Sequence, residues 1–168
     1  MGIILKQGDI TLEDVQVIVN AANTKLAGGG GVDGAIHLAA GPAIMEECRK
    51  IGGCPTGEAV MTSGGKLKAA YIIHTAGPVW NGGRSKEAEK LKNSYQNSFL
   101  LAKKHGLKTI AFPAISTGVY GYPKEQAALI ALSAGKVFEA DFESIRYVCY
   151  SAEDLKIYQK TWGKMQLL

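Results

Sequence analysis

Apolar positions along the chain follow two patterns: short runs rich in β-branched residues, and longer stretches with an apolar residue every third or fourth position. The short runs predict six strands, over residues 3–6, 15–20, 59–62, 71–75, 109–112 and 145–150. The longer stretches predict four one-faced helices, over residues 34–50, 86–105, 123–140 and 152–162. Strands and helices therefore alternate along the chain.

This alternation predicts an α/β fold with a mostly parallel sheet. Several strands are apolar at almost every position, as in the Val-Ile-Val run at 17–19, so we expect helices on both faces of the sheet in a three-layer α/β/α sandwich. The length of 168 residues and the hydrophobic share of 46% fit one compact unit. The sequence therefore predicts a single domain over residues 1–168.

Composition narrows the classes of partner. The net charge of +4 comes from Lys and Arg residues spread along the chain, whereas nucleic-acid binders gather them into a stripe. The three cysteines show no metal-ligand spacing and are odd in number, which fits a reducing compartment. The amino-terminal apolar run is too short for a signal peptide, and no run approaches the roughly 20 residues of a membrane span. We expect a soluble, cytoplasmic protein.

Three loops follow predicted strands at the edge where parallel sheets bind ligands, which is beyond the carboxyl ends of the strands. The first contains four consecutive glycines, at 28–31, directly before a predicted helix. Glycine leaves the backbone amides unobstructed, and the amino end of a helix attracts anions. The second loop, over 113–123, offers hydroxyls and free amides at Ser116, Thr117 and Gly118, and the third begins at Tyr150. Two amide-lined loops at neighbouring strand ends predict a diphosphate site; the alternative for the first loop is a flexible surface turn.

Two familiar nucleotide motifs fail on these glycines. Gly29, Gly31 and Gly34 satisfy the spacing G-x-G-x-x-G, but they lie well past the strand end and no acidic residue closes a second strand at the required distance. The Gly-Gly-Lys run at 64–66 lacks the following Ser or Thr of a phosphate-binding Walker A loop. The sequence therefore excludes a Walker A loop and disfavours a dinucleotide fold.

Four polar side chains stand out near these loops. Asn20 and Asn23 follow an apolar strand, and we expect their amides at the mouth of the cleft, where they match ribose hydroxyls; the alternative is a turn role. Asp33 is the carboxylate within the glycine run, and it is either an N-cap or a catalytic group. Asp9 is either a turn residue or an acceptor for a base amine.

The three histidines form no recognisable catalytic set. His37 lies one helical turn after Asp33 and the two side chains are expected to share a face, but a metal site needs a further ligand that the sequence does not identify. His74 lies within an apolar strand and His105 near a helix end, so both have ordinary structural interpretations. No metal site is predicted.

Taken in order, six segments resemble the macrodomain family: 8–11 (Gly-Asp-Ile-Thr), 19–23 (Val-Asn-Ala-Ala-Asn), 28–37 (Gly-Gly-Gly-Gly-Val-Asp-Gly-Ala-Ile-His), 56–59 (Thr-Gly-Glu-Ala), 73–78 (Ile-His-Thr-Ala-Gly-Pro) and 112–121 (Phe-Pro-Ala-Ile-Ser-Thr-Gly-Val-Tyr-Gly). The chain is most similar to the hydrolytic, MacroD-type branch because its glycine run carries Val32 and Asp33. The resemblance implies a mixed sheet of about six strands and a cleft that binds ADP-ribose.

The resemblance also assigns residues to the two ends of the nucleotide. At the adenine end, Asp9 would bind the amine beside the Ile10 backbone, and Tyr150 would stack on the base, with Tyr158 as a weaker candidate. Asn20 counts among the substrate-binding residues. Gly31 and Val32 would hold one side of the diphosphate. Its other side and the distal ribose would be held by a run of five residues, Ser116, Thr117, Gly118, Val119 and Tyr120.

For the reaction, the resemblance implies hydrolysis of an ester between the distal ribose and an acyl group, on mono-ADP-ribosylated acidic side chains or on O-acetyl-ADP-ribose. Asn23 would fix the distal ribose hydroxyls, and Asp33 would position or activate a water, with help from an α-phosphate oxygen and without a metal or another cofactor. The expected partners are ADP-ribose, its esters and mono-ADP-ribosylated proteins, not nucleic acid or membranes. The alternatives are a non-catalytic reader of ADP-ribose and a phosphatase acting on ADP-ribose 1''-phosphate.

Overall fold

The sheet contains six strands in the computed structural model, which describes residues 2–168. The strands are β1 (Gly2–Gln7), β2 (Val17–Ala22), β3 (Ala59–Ser63), β4 (Tyr71–Ala76), β5 (Thr109–Phe112) and β6 (Ser144–Cys149). Their order across the sheet is β1-β6-β5-β2-β4-β3. All neighbouring pairs are parallel except β3 with β4, which is antiparallel. The prediction of a mixed, mostly parallel sheet is confirmed.

Helices cover both faces of this sheet, as the continuous apolar strands predicted. Val17 and Val19 of β2 point into one core, which is closed by three helices, while Ile18 between them points into a second core, which is closed by two. The first core packs under α3 (Glu87–Lys104), α4 (Lys124–Phe138) and α5 (Ala152–Met165), and the second under α1 (Gly31–Ala40) and α2 (Ala43–Ile51). The three-layer α/β/α arrangement is therefore confirmed.

The predicted helix over 34–50 is wrong in one respect, because two helices occupy that stretch. Gly41 adopts a φ of 94° and its N–H closes α1 on the carbonyl of His37, and Pro42 then precedes α2. A glycine with a positive φ followed by proline ends one helix and starts the next. The first helix also begins earlier than predicted, at Gly31, which brings its amino end into the glycine run.

The carboxyl ends of the five parallel strands meet at one edge of the sheet. Because β2 and β5 are neighbours, the loops that follow them lie side by side. Gln7 pairs with Cys149 and the N–H of Gly8 donates to the Cys149 carbonyl, so the chain segments after β1 and β6 also leave the sheet together. Within residues 2–168, no helix combines the length and apolar character that crossing a membrane requires.

Two helical glycines give a test of the packing between α4 and the sheet. A β-carbon on Gly135 of α4 would overlap the buried Tyr147 hydroxyl, which donates to the Ala131 carbonyl, whereas one on Gly163 of α5 would meet no atom within 4 Å. Replacing helical glycine by alanine gains about 1 kcal/mol when nothing clashes, while overpacking a core costs about 1–3 kcal/mol. Urea denaturation should therefore show Gly163→Ala to be more stable than wild type and Gly135→Ala to be less stable. Equal effects of the two substitutions would contradict this account of the packing.

Candidate active site

The loop between β2 and α1, here called the glycine loop (residues 23–30), is braced by one side chain. The Asn23 carboxamide donates to the Gly28 carbonyl at 2.8 Å and accepts from the Ala27 N–H at 3.0 Å. Gly34 lies so close to this loop that a β-carbon there would overlap the Gly29 carbonyl. Asn23 and Gly34 together hold the loop against the first turn of α1.

The first turn of α1 presents unpaired backbone donors beside the glycine loop. Gly30 is the N-cap of α1 and has no side chain to cap the helix. The N–H groups of Gly30, Gly31 and Val32 donate to no backbone carbonyl within residues 2–168. Such donors at a helix amino end, reinforced by the helix dipole, are suited to an anion.

Asp33 is not the N-cap, so the capping alternative for this residue is wrong. It is the third residue of α1 and is only 6% exposed. Its Oδ1 atom accepts a hydrogen bond from Asn20 Nδ2 at 2.8 Å, and His37 Nε2 lies 3.3 Å from the same oxygen. A β-carbon on Gly29 would lie 3.5 Å from Asp33 Oδ2 and 4.0 Å from Asn23 Nδ2, so these two polar atoms lie beside the same point of the glycine loop.

Asn20 does not lie at the mouth of the cleft, and that expectation is wrong. The predicted strand 15–20 is shifted by two residues to Val17–Ala22, which puts Asn20 inside β2, where it is 0% exposed. Its Nδ2 atom contacts both Asp33 Oδ1 and His74 Nδ1, the latter at 3.1 Å. The Nδ2 atom of this buried amide therefore finds its partners beneath the glycine loop, while its buried Oδ1 atom has no partner within residues 2–168. Asn20 therefore supports the site from below.

His74 extends this network towards the edge of the sheet. Its Nε2 atom lies 2.9 Å from Thr62 Oγ1, and the residue is fully buried on β4. Burial, together with the nearby His37, lowers the pKa of His74 to about 4. The imidazole is therefore neutral at physiological pH.

A further cluster, which no sequence pattern predicts, comprises His37, Cys48 and His74, with ligand atoms all within 4.8 Å of one another. The three residues come from α1, α2 and β4, so no local spacing reveals them. Both ring nitrogens of His74 already have hydrogen-bond partners, in Asn20 and Thr62. Burial raises the pKa of the Cys48 thiol, so this sulfur is a protonated neighbour and not a thiolate ligand.

The loop that follows β5, here called the Ser116 loop (residues 113–123), faces the glycine loop across the carboxyl edge. Ser116 has a φ of 67° and a buried hydroxyl that has no partner within residues 2–168. Strained backbone and orphan polar atoms concentrate at functional sites. In this loop, the N–H groups of four consecutive residues, Thr117, Gly118, Val119 and Tyr120, are among those with no backbone acceptor in the described chain.

The far end of this edge carries the residues assigned to adenine. Tyr150 follows β6 directly and is 90% exposed, while Ile10 is buried. Asp9 caps the short 3-10 turn Ile10–Leu12 through Oδ1, which accepts from the N–H of Thr11 at 2.9 Å. Tyr158 is only 4% exposed and packs on Tyr147 in the core, so its ring is not available to stack on a base.

Comparison with known proteins places this geometry in a family. A family model described as "Macro domain" matches residues 19–131, from β2 to within α4. The chain belongs to the macrodomain family. This range contains the glycine loop, Asp33 and the Ser116 loop, so the predicted family is confirmed over the site itself.

Curated relatives match this macrodomain along nearly its whole length. A macro domain-containing protein of Chlorobaculum tepidum is 56% identical over 157 residues, which cover 92% of this chain and 91% of the relative. The O-acetyl-ADP-ribose deacetylase of Salmonella newport is 53% identical over 161 residues, which cover 92% and 90%. Among solved structures, a variant of the Oceanobacillus iheyensis macrodomain with ADPR has a TM-score of 0.93 at 43% identity, over 98% of this chain and 93% of that one.

The buried neutral His74 makes the stability of this macrodomain depend on pH. The native imidazole titrates near pH 4, whereas an unperturbed histidine titrates near 6.5, so between these values the unfolded chain binds a proton that the native state does not. The stability is complete above about pH 6.5 and is lost as the pH falls towards 4. We expect the free energy of unfolding to fall by about 2 kcal/mol between about pH 7.5 and pH 5. Urea denaturation at the two pH values measures this loss, which should largely vanish in His74→Asn; an equal loss in both proteins would contradict it.

Proposed function

We propose that this macrodomain is a hydrolase that binds ADP-ribose and cleaves the ester between its distal ribose and an acyl group. The acyl group belongs to a mono-ADP-ribosylated Asp or Glu side chain or to the acetyl group of O-acetyl-ADP-ribose. The observation that carries the proposal is the buried carboxylate of Asp33, which is held through one oxygen while the other lies beside Asn23 and the glycine loop. A surface for binding alone has no need of a carboxylate buried and anchored next to its anion-binding amides.

The general class of activity rests on the relatives. Two proteins at 52% and 53% identity over 161 residues, from Pantoea vagans and Salmonella newport, are named O-acetyl-ADP-ribose deacetylase. These relatives confirm the prediction that the protein is a hydrolase. The two classes of ester named above belong to the proposal.

The two runs of free amides support the position of the diphosphate. We place one side of it on Gly31 and Val32 at the amino end of α1, and the other side on the Ser116 loop. Backbone N–H groups in two facing loops bind a doubly charged group without bringing their own counter-charge into the cleft. The unpartnered Ser116 hydroxyl supplies a further donor at the same edge.

The adenine and the distal ribose then fall at opposite ends of the cleft. At the adenine end, the second carboxylate oxygen of Asp9 is available to a base amine, the Ile10 backbone lies beside it, and the exposed ring of Tyr150 offers a stacking surface. At the other end, Asn23 lies with Asp33 Oδ2 beside the glycine loop and is assigned to the ribose hydroxyls. This placement brings the ester to the one carboxylate of the glycine-rich segment.

The chemical step follows from that position. Asp33 Oδ2 orients a water for attack on the ester carbonyl, and a substrate α-phosphate oxygen shares the proton, because a carboxylate alone is a weak base at neutral pH. The Asn23 amide and the loop N–H groups stabilise the charge that develops on the carbonyl oxygen. The acyl carbon–oxygen bond breaks, the carboxylic acid leaves, and the ribose hydroxyl is restored in free ADP-ribose.

Replacing Asp33 separates the enzyme from a non-catalytic reader. We expect Asp33→Ala to lower the rate of release of ADP-ribose from a mono-ADP-ribosylated protein on the order of 10²–10⁴-fold, since it removes the group that orients the water. The dissociation constant for ADP-ribose, measured by calorimetry, should change by less than about tenfold. Asp141→Ala is the matched control, because this aspartate lies at the opposite edge of the sheet and forms a surface ion pair with Lys103.

Equal release rates in wild type and Asp33→Ala would exclude the role of Asp33. Retained binding with no release by wild type would leave a reader of ADP-ribose. Release of phosphate from ADP-ribose 1''-phosphate at a rate well above ester cleavage would move the activity to the phosphatase alternative.

The adenine end is tested by Tyr150→Ala. Stacking of a base on an aromatic ring is worth about 1–3 kcal/mol on alanine substitution, so the dissociation constant for ADP-ribose should rise about 5- to 150-fold. The rate at saturating substrate should stay near the wild-type value, because Tyr150 is remote from the ester. Tyr71→Ala, at the amino end of β4, is the control and should leave affinity unchanged. Unchanged affinity in Tyr150→Ala would place the adenine elsewhere.

A further inference from the structure

Four buried polar side chains form a continuous chain beneath the glycine loop. Thr62 on β3 contacts His74 Nε2 at 2.9 Å, and His74 Nδ1 contacts Asn20 Nδ2 at 3.1 Å. Asn20 Nδ2 then donates to Asp33 Oδ1 at 2.8 Å. All four residues are at most 6% exposed. The chain crosses three strands and ends on the carboxylate that the proposed hydrolysis uses.

The hydrogen-bond donors along this chain are assigned by starting from the Asp33 carboxylate and following the contacts to Thr62. The Asn20 amide nitrogen has two protons; one goes to the Asp33 carboxylate, which only accepts, and the other goes to His74 Nδ1, which must therefore be unprotonated. His74 is then the neutral tautomer with its proton on Nε2, and this proton is donated to Thr62 Oγ1. The Thr62 hydroxyl in turn donates to the Ser63 carbonyl at 3.0 Å. The low pKa of the buried imidazole agrees with the neutral form.

This hydrogen-bond chain controls the orientation of the Asn20 carboxamide. If the carboxamide were rotated by half a turn, its oxygen would face both the Asp33 carboxylate and the unprotonated His74 nitrogen, and three acceptors would meet without a proton. An acceptor at His74 Nδ1 therefore holds the amide nitrogen towards Asp33. Thr62 keeps the imidazole in the tautomer that leaves Nδ1 free to accept.

We propose that His74, backed by Thr62, is a positioning residue for the hydrolysis, because it turns the Asn20 amide towards Asp33 and thereby anchors Asp33 Oδ1 while Oδ2 stays directed at the glycine loop. This inference rests on the proposed function, since it assigns the support of the carboxylate used there. His74 touches neither substrate nor water in this scheme. Its effect passes entirely through Asn20.

The neighbouring Cys48 and His37 do not turn His74 into a metal ligand. Each ring nitrogen of His74 already has a partner that fits the neutral tautomer, so a cation bound there would have to displace Asn20 or Thr62. Displacing Asn20 would also remove one of the two partners of Asp33 Oδ1, the other being His37 Nε2. The hydrogen-bond chain therefore accounts for the buried imidazole better than a metal site does.

Two substitutions of His74 separate positioning from packing. In His74→Asn the side-chain oxygen can take the place of Nδ1 and still accept from Asn20, whereas in His74→Gln the polar end group reaches towards Thr62 and that acceptor is lost. We expect His74→Gln to lower kcat on the order of tenfold, corresponding to one hydrogen bond, with the ADP-ribose dissociation constant within about twofold of wild type. His74→Asn should retain kcat within about threefold. Both variants shorten or replace the ring and should lose stability to a similar extent.

Thr62 provides a second matched pair. Thr62→Val keeps the shape but leaves the Nε2 proton without an acceptor, while Thr62→Ser keeps the hydroxyl. If Thr62 acts by positioning the imidazole, kcat should be lower in the valine variant and near the wild-type value in the serine variant. The affinity for ADP-ribose should change little in either. If kcat in all four variants followed the melting temperature and not the retained acceptor, His74 and Thr62 would be packing residues and the inference would be overturned.

A measurement that needs no turnover keeps this inference separate from the proposed function. Long-range 1H–15N correlation spectra of the free protein report which nitrogen of His74 carries the proton. The proposed hydrogen-bond chain requires the Nε2–H tautomer between about pH 6 and pH 8. A proton on Nδ1 would overturn this inference even if the enzyme is active. If wild type releases no ADP-ribose while the spectra show Nε2–H, the proposed function fails. The hydrogen-bond chain is then the support of Asp33 in a binding site.

Discussion

The hydrogen bond from Asn20 to Asp33 is the interaction on which the site depends. A carboxylate on the first turn of a helix usually turns outwards, where water and the helix dipole stabilise it. Here the carboxylate is buried, because an amide on the adjacent strand donates to one of its oxygens at 2.8 Å. That bond ties α1 to β2 and fixes which oxygen faces the glycine loop. The bond therefore has two effects: it holds the helix in place, and it orients the carboxylate.

The parallel sheet supplies the rest of the arrangement. Because β2 and β5 are neighbours with the same direction, the two loops rich in free amides meet at one edge, and β1 with β6 brings Asp9 and Tyr150 to the end of the same edge. A long ligand with a charged middle and two different ends fits this arrangement of amide-rich loops and flanking residues along one edge. Glycine is needed here for close approach as much as for flexibility; a β-carbon on Gly34 would strike the Gly29 carbonyl, and one on Gly77 would strike Ser116.

The sequence predicted the layers, the strand alternation and the glycine and Ser116 loops, because periodicity and glycine runs are local signals. It failed where a tertiary contact overrides the local pattern. Asn20 interrupts an apolar strand and was therefore expected at a strand end, yet the strand continues through it because its amide finds buried partners on α1 and β4. His74 has the sequence context of an ordinary core residue, because its partners Asn20 and Thr62 lie on other strands. The break at Gly41 and Pro42 was visible in the sequence, but the apolar spacing on both sides of it favoured one helix.

The most direct test of this account is a crystal structure of the wild-type protein with ADP-ribose bound. The account predicts the diphosphate between the first turn of α1 and the Ser116 loop, the distal ribose against Asn23, and one water bridging Asp33 Oδ2 to the hydroxyl that carries the ester in the substrate. It also predicts that Asn20 still donates to Asp33 Oδ1. A distal ribose bound away from the glycine loop, or an Asp33 carboxylate with both oxygens turned into the interior, would contradict it.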